Sequence, residues 1–236
     1  HSVVFWINDW LMTMFFLLIG LEIKREIYKG VLQTTGQLIL PTIAALGGLV
    51  VPAIIYAFFN WESSMAMRGW AIPTATDVAF SLGILSLFGR RVPLSLKIFL
   101  TALAIIDDIA AIVIIAIYYT TNLSLVALLS AALCISFLFI LNRIRVFQLI
   151  PYFFVGSLLW LALAGSGIHP TLSGIILAFA IPVDNKPGYG ISPLLMTERA
   201  LLPWVTFLIL PLFAFANTGF NFGELVFDRQ LMNISL

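Results

Sequence analysis

The sequence predicts an all-α polytopic membrane protein, and three observations carry that reading. Of 236 residues, 61% are hydrophobic and only 10% are charged, whereas a soluble domain carries about a quarter charged residues. Mean hydropathy is +1.09. The apolar residues are gathered into eight segments, about 3–21, 38–59, 69–88, 97–119, 124–141, 149–164, 168–182 and 201–221. A bilayer-crossing helix needs about 20 predominantly apolar residues. The expected organisation is a single membrane domain over residues 1–236.

Each segment has its own punctuation. The first carries Asn8 and Asp9 near its start, as packing or capping groups. It ends in the charged cluster Glu22, Lys24, Arg25 and Glu26, which reads first as a solvated helix end. The second contains Gly47, Gly48 and Pro52, signals of close helix packing or a bend. The third contains Pro73, Thr74, Thr76 and Asp77. Proline removes a backbone hydrogen bond and clashes with the preceding turn, and groups freed in lipid need neighbours, water or an ion. Pro73 alone suggests a kink; with two threonines and a carboxylate beside it, a broken helix near the midplane is expected. The fourth runs TALAIIDDIAAIVIIAI over 101–117, with Asp107 and Asp108 at its centre. The fifth holds the single Cys134, so neither a disulfide framework nor a cysteine metal cluster is expected. The sixth and seventh are short, and read as helices buried in a bundle. The eighth holds Asn217 well inside, placed to hydrogen-bond across helices.

Charge in the loops sets orientation. Lys24, Arg25, Lys29, Arg90, Arg91, Lys97, Arg143, Arg145, Lys186 and Arg199 fall on one side, against Arg68 and Arg229 on the other. The side with 10 of the 12 basic residues is cytoplasmic. His1 and Leu236 then face away from the cytoplasm. An outside amino terminus without a visible signal peptide, on a chain that opens on His1, calls for an earlier span in something longer. The basic residues are dispersed, so no nucleic-acid partner is expected.

The chemistry lies in three carboxylates. An Asp at the centre of a spanning helix costs roughly 2.5–3.5 kcal/mol on insertion scales. None of the basic residues named above lies at the depth of Asp77, Asp107 and Asp108. A buried carboxylate takes a proton or holds a metal cation. The two compete for the same oxygens, which is the minimum requirement for exchanging a cation against protons. Asp77, Thr76, an unwound backbone and Asp108 could supply the oxygens that hard monovalent cations prefer. Neighbouring helical positions point about 100° apart, so one of Asp107 and Asp108 is expected at the ion site and the other against a second partner; which is which stays open.

GWAIPTATDVAF at 69–80, ALAIIDDIAAI at 102–112, FLLIGLEIKRE at 16–26 and PLFAFAN at 211–217 resemble the NhaA sodium/proton antiporters of bacterial inner membranes, in one register over essentially the whole chain. The resemblance implies an NhaA-like helical bundle, partial here, with about eight of roughly twelve spans. It belongs among the inverted-repeat transporters with broken helices, of which this family is a standing example. It implies that Asp107 and Asp108 bind Na+ or protons, and that Thr76 and Asp77 lie where two broken helices cross. Asp77 would compensate the half-helix ends. It implies electrogenic exchange of Na+ or Li+ for H+, serving pH and sodium homeostasis, with no cofactor and a possible homodimer. Glu22 and Glu26 would line a cytoplasmic funnel and sense pH, with Glu198, from the loop before the last span, joining them. His169 would take part in the pH response; capping its loop is the alternative. The missing end would bring a second broken helix and a lysine that pairs with Asp107. The chain alone is therefore not expected to exchange ions robustly.

Two other functions fit part of this pattern. An intramembrane aspartyl enzyme could use two aspartates sharing a proton; it leaves the third aspartate and the broken helix unexplained, and the Gly-x-Gly-Asp stretch of such proteases is absent. A sodium-coupled symporter would need a further polar cluster for its solute. Neither an enzymatic activity nor a solute site is expected.

Overall fold

The computed structural model describes residues 6–30, 35–63, 66–71, 74, 85, 88, 92–118, 124–184 and 190–217. These residues are helical, with no strand among them. Helix α1 spans Trp6–Lys29 and α2 spans Thr35–Asn60. A short 3-10 turn follows at Ala66–Gly69. Helix α3 is Leu94–Tyr118, α4 is Leu125–Arg143, α5 is Leu149–Ala164 and α6 is Leu172–Ala180. Helix α7 runs Pro193–Asn217. Among the described helices, α1, the Leu38–Asn60 part of α2, α4 and α7 are each long and apolar enough to cross a membrane.

Among the described residues, helices cover parts of seven of the expected segments, while the third, 69–88, lies almost wholly outside those residues; two differences stand out. Helix α7 starts eight residues before its apolar run. Ser192 caps it, its hydroxyl accepting from the Leu195 amide at 3.3 Å, and Pro193 follows at the first helical position. A hydroxyl acceptor and a pre-set proline φ start a helix whatever the polarity of the next turn. Glu198 therefore lies on α7 and not in a loop. Helix α5 is also only half buried. Tyr152, Val155, Gly156, Leu159, Trp160 and Leu163 form its inner stripe, but Ile150, Phe154 and Leu161 are exposed on the other side. The predicted break around Pro73, with Thr76 and Asp77, lies outside the described residues.

The core is the seam between α1 and α6, closed on its flanks by α4 and α5. Leu17 and Leu21 of α1 pack with Leu138, Tyr152, Leu159, Leu177 and Ile181. Small residues allow the approach. A Cβ on Gly20 would come within 2.7 Å of the Ala178 Cβ, and one on Gly174 within 2.9 Å of the Leu17 nitrogen. Membrane helices associate through such close contact, because lipid supplies no hydrophobic drive between them. The outward faces stay apolar: Ile39, Ile43, Val50, Ile54 and Phe58 of α2 are all exposed, as in a helix solvated by lipid.

Two helices depart from α geometry. Trp6–Leu11 at the start of α1 and Val205–Ile209 within α7 are π-helical. Thr13 Oγ1 donates to the Asp9 carbonyl at 2.6 Å, just where the π stretch gives way to α. Helix α4 ends in a left-handed turn at Arg145, φ 56°. The Arg145 amide donates to Asn142 O at 3.0 Å and the Val146 amide to Leu141 O at 3.1 Å, a Schellman closure that usually takes glycine.

Candidate ion site

Helix α3 sets Asp107 and Asp108 on consecutive positions in an otherwise apolar stretch. Asp107 is buried and Asp108 half-buried. Both line one cavity of about 610 Å³. Helical spacing by itself expected one of the pair at the site and the other against a second partner, whereas the family resemblance implied both. The cavity is wide enough that directions about 100° apart both reach it.

The rest of the wall comes from several elements. Thr74 lines it beside Ala71; Thr74 Oγ1 donates to Ala71 O at 2.7 Å, leaving its oxygen lone pairs for a further partner. Asn8, Asp9, Phe15 and Phe16 of α1, Leu49 of α2, Ala111 of α3, His169 and Thr171 from the linker between α5 and α6, and Phe213 of α7 are also part of it. His169 Nδ1 lies 2.8 Å from Thr171 Oγ1. Burial holds the His169 imidazole below the ordinary histidine range, against the opposing pull of the Asp9 carboxylate. No lysine or arginine is among the described residues that line the cavity. Oxygen is set around its wall: two carboxylates on α3, the Thr74 hydroxyl, and a third carboxylate, Asp9; among the described residues no three acids, histidines or cysteines are gathered closely enough to hold a metal ion. The sequence reading gave Asp9 little weight. Its one signal was a carboxylate inside an apolar span.

A second polar group ties α1 to α7. Arg25 pairs with Glu22 at 3.7 Å and Glu26 at 3.0 Å, and with Glu198 of α7. The three acids named for the funnel thus meet at one guanidinium, while His169 stands apart in the cavity. The second Glu198 oxygen, Oε2, is buried and accepts no hydrogen bond among the described residues.

Lys24 is not the solvated helix end its sequence context suggested. It is 4% exposed, and its Nζ donates to the carbonyls of Phe179, at 2.7 Å, and Ile181. Asn142 Nδ2 donates to Ala180 O at 2.6 Å. Together they satisfy the carbonyls at the end of the nine-residue α6, which would otherwise be orphaned in a dry setting. The signal was present in the sequence: Leu17, Leu21 and Lys24 share one face at i, i+4 and i+7.

Residues 1–235 match the family model described as Na+/H+ antiporter 1. The chain belongs to the Na+/H+ antiporter 1 family. Relatives of this antiporter family include Na(+)/H(+) antiporter NhaA 2 of Saccharophagus degradans, 50% identical over 234 residues, 99% of this chain and 61% of the relative. NhaA 1 of Pseudomonas putida is 54% identical over 226 residues, 96% of this chain and 57% of the relative. NhaA 2 of Pseudomonas syringae pv. syringae is 53% identical over 235 residues, 100% of this chain and 60% of the relative. The chain therefore spans about 60% of the length of the curated NhaA relatives it matches. The expected resemblance and the all-α membrane fold class agree with these matches, and the relatives are named as transporters.

Proposed function

We propose that this chain handles cations for sodium/proton antiport, exporting Na+, or Li+ in its place, against inward H+. The observation that carries the reading is the pair Asp107 and Asp108 lining one cavity with Thr74, under apolar cover. A desolvated carboxylate binds either a proton or a metal cation far more readily than it stays bare. When Na+ enters, the pair gives up protons; when Na+ leaves, protons return. Release of unequal charge makes the exchange electrogenic. Thr76 and Asp77 enter this proposal from sequence: a hydroxyl, a carboxylate and the carbonyls of a broken helix complete the oxygen set. Glu22, Glu26 and Glu198, gathered on Arg25, and His169, in the cavity wall, are proposed to adjust the response to pH. The setting proposed is a bacterial inner membrane, multi-pass in lipid, as a possible homodimer without cofactor.

The test is fluorescence dequenching on adding Na+ at alkaline pH, in everted vesicles that carry a full-length version of the protein. Asp108→Asn is expected to remove the response. Wild-type dequenching by that variant would sink the assignment.

A further inference from the structure

Helices α1 and α7 run antiparallel and are clasped by polar groups at both ends. Arg25 and Glu198 join them at one end. At the other, Asn217 Nδ2 donates to Asn8 Oδ1 at 2.8 Å and Asn8 Nδ2 donates back to Asn217 Oδ1 at 3.1 Å. Asn217 Nδ2 also donates to the Phe213 carbonyl at 2.9 Å. Between the clasps lies an apolar seam of Leu18, Val205 and Ile209.

Asn8 and Phe213 line the cavity that holds Asp107 and Asp108, whereas Asn217 does not. One amide therefore bonds the wall residue Asn8 of α1 across to α7, and ties itself to the backbone of the α7 turn that carries the wall residue Phe213. Both spans are π-helical on the way to this clasp, at Trp6–Leu11 and Val205–Ile209. A π turn carries an extra residue within an α-helix and is frequent at functional sites. Returning it to α exchanges one set of backbone hydrogen bonds for another and rotates everything beyond it by about one residue, about 100°. A π form and an all-α form of each span would thus differ in rotation near this end. A bond between two side chains separated by 209 residues of sequence selects one of them.

We propose that Asn217 is a positioning residue for the cavity: through Asn8 and Phe213 it sets the rotation of both π-helical spans, and hence the shape of the wall opposite Asp107 and Asp108. Naming Na+ as the occupant of that cavity rests on the antiporter reading; the positioning role does not.

The experiment uses membrane vesicles carrying the chain with Cys134→Ser and a single cysteine placed by Ala111→Cys, in the cavity wall on α3. The readout is its labelling rate by a cationic methanethiosulfonate reagent. Asn8→Leu and Asn217→Leu are each expected to change that rate several-fold, with the double variant no further from wild type than either single one. Asn217→Ser, which keeps a short donor and acceptor, is expected to fall nearer wild type. It also serves if the leucine variants fail to give a monodisperse protein. Unchanged rates, or effects that multiply in the double variant, overturn the positioning role. Binding of radioactive Na+ separates the two readings. Loss with Asp108→Asn and a several-fold weakening with Asn217→Leu supports both. Undiminished binding by Asp108→Asn defeats the antiporter reading and leaves the labelling result to judge this one.

Discussion

Lys24 and His169 show how much a single side chain can hide in a sequence. Lys24 stands among charges, yet it is buried with its ammonium on the last carbonyls of α6. Lys24→Met is expected to leave two carbonyls without donors, at about 1–3 kcal/mol for each buried group stranded in this way. A thermal-shift series in detergent checks this, and an unchanged melting temperature would contradict it. His169 gives a pH prediction with a definite sign. Its imidazole titrates lower in the fold than in the unfolded chain, so the folded state resists protonation. Stability is fully present above the unfolded value, about 6.5, and is lost as pH falls through the lower folded value. His169→Gln is expected to flatten the fall in melting temperature between neutral pH and pH 5; an equal slope in both proteins would refute the assignment. Asp107→Asn, by contrast, tests function: in a full-length version of the protein we expect at least a tenfold loss of Na+-dependent dequenching, equivalent to about 1.4 kcal/mol or more.

At the scale of the helix, the α1–α6 seam is where sequence and packing meet. Gly20 and Gly174 are legible as small residues in apolar runs, but which helix each one faces is not. Sequence spacing gives direction around one helix axis and says nothing about the partner. Gly174→Ala drives a methyl group against the α1 backbone at Leu17, and neither backbone can yield without moving its helix. We expect a loss of about 1–3 kcal/mol, the usual range for overpacking, against almost no effect for Gly47→Ala, which meets open space. Comparable melting temperatures for the two variants would show that the seam is not a tight contact. Segment existence was readable throughout the described chain, because long apolar runs leave few alternatives. Segment edges were not: a serine cap and a proline began α7 in polar sequence, which hydropathy cannot detect.

For the molecule as a whole, orientation is a question of charge and not of packing. Ten of the twelve basic residues fall on one side of the parse, and translocating them is what the membrane resists. In a Cys134→Ser background, Ser63→Cys is expected to react with an impermeant thiol reagent added outside intact cells. Ile144→Cys, in the turn between α4 and α5, is expected to react only after the membrane is opened. The reverse pattern would invert the topology. With the expected pattern, the Arg25–Glu198 end of the clasped α1–α7 pair is predicted to face the cytoplasm and the Asn8–Asn217 end to face away from it.

The amino-acid order alone pointed to a helical membrane protein, to the runs expected to cross, to the orientation that loop charge predicts, and to the acids set within apolar runs. Those are properties of composition and local period, and each is set by transfer of a segment from water to lipid. Only the tertiary structure decided that Asp107 and Asp108 share one cavity, that Asp9 and His169 line it with them, and that Lys24 and Asn217 hold neighbouring helices in place. Such facts depend on which faces of distant helices meet: spacing can set Lys24 on the face of Leu17 and Leu21, and Asn217 inside its span, but it does not name the partner that either one meets.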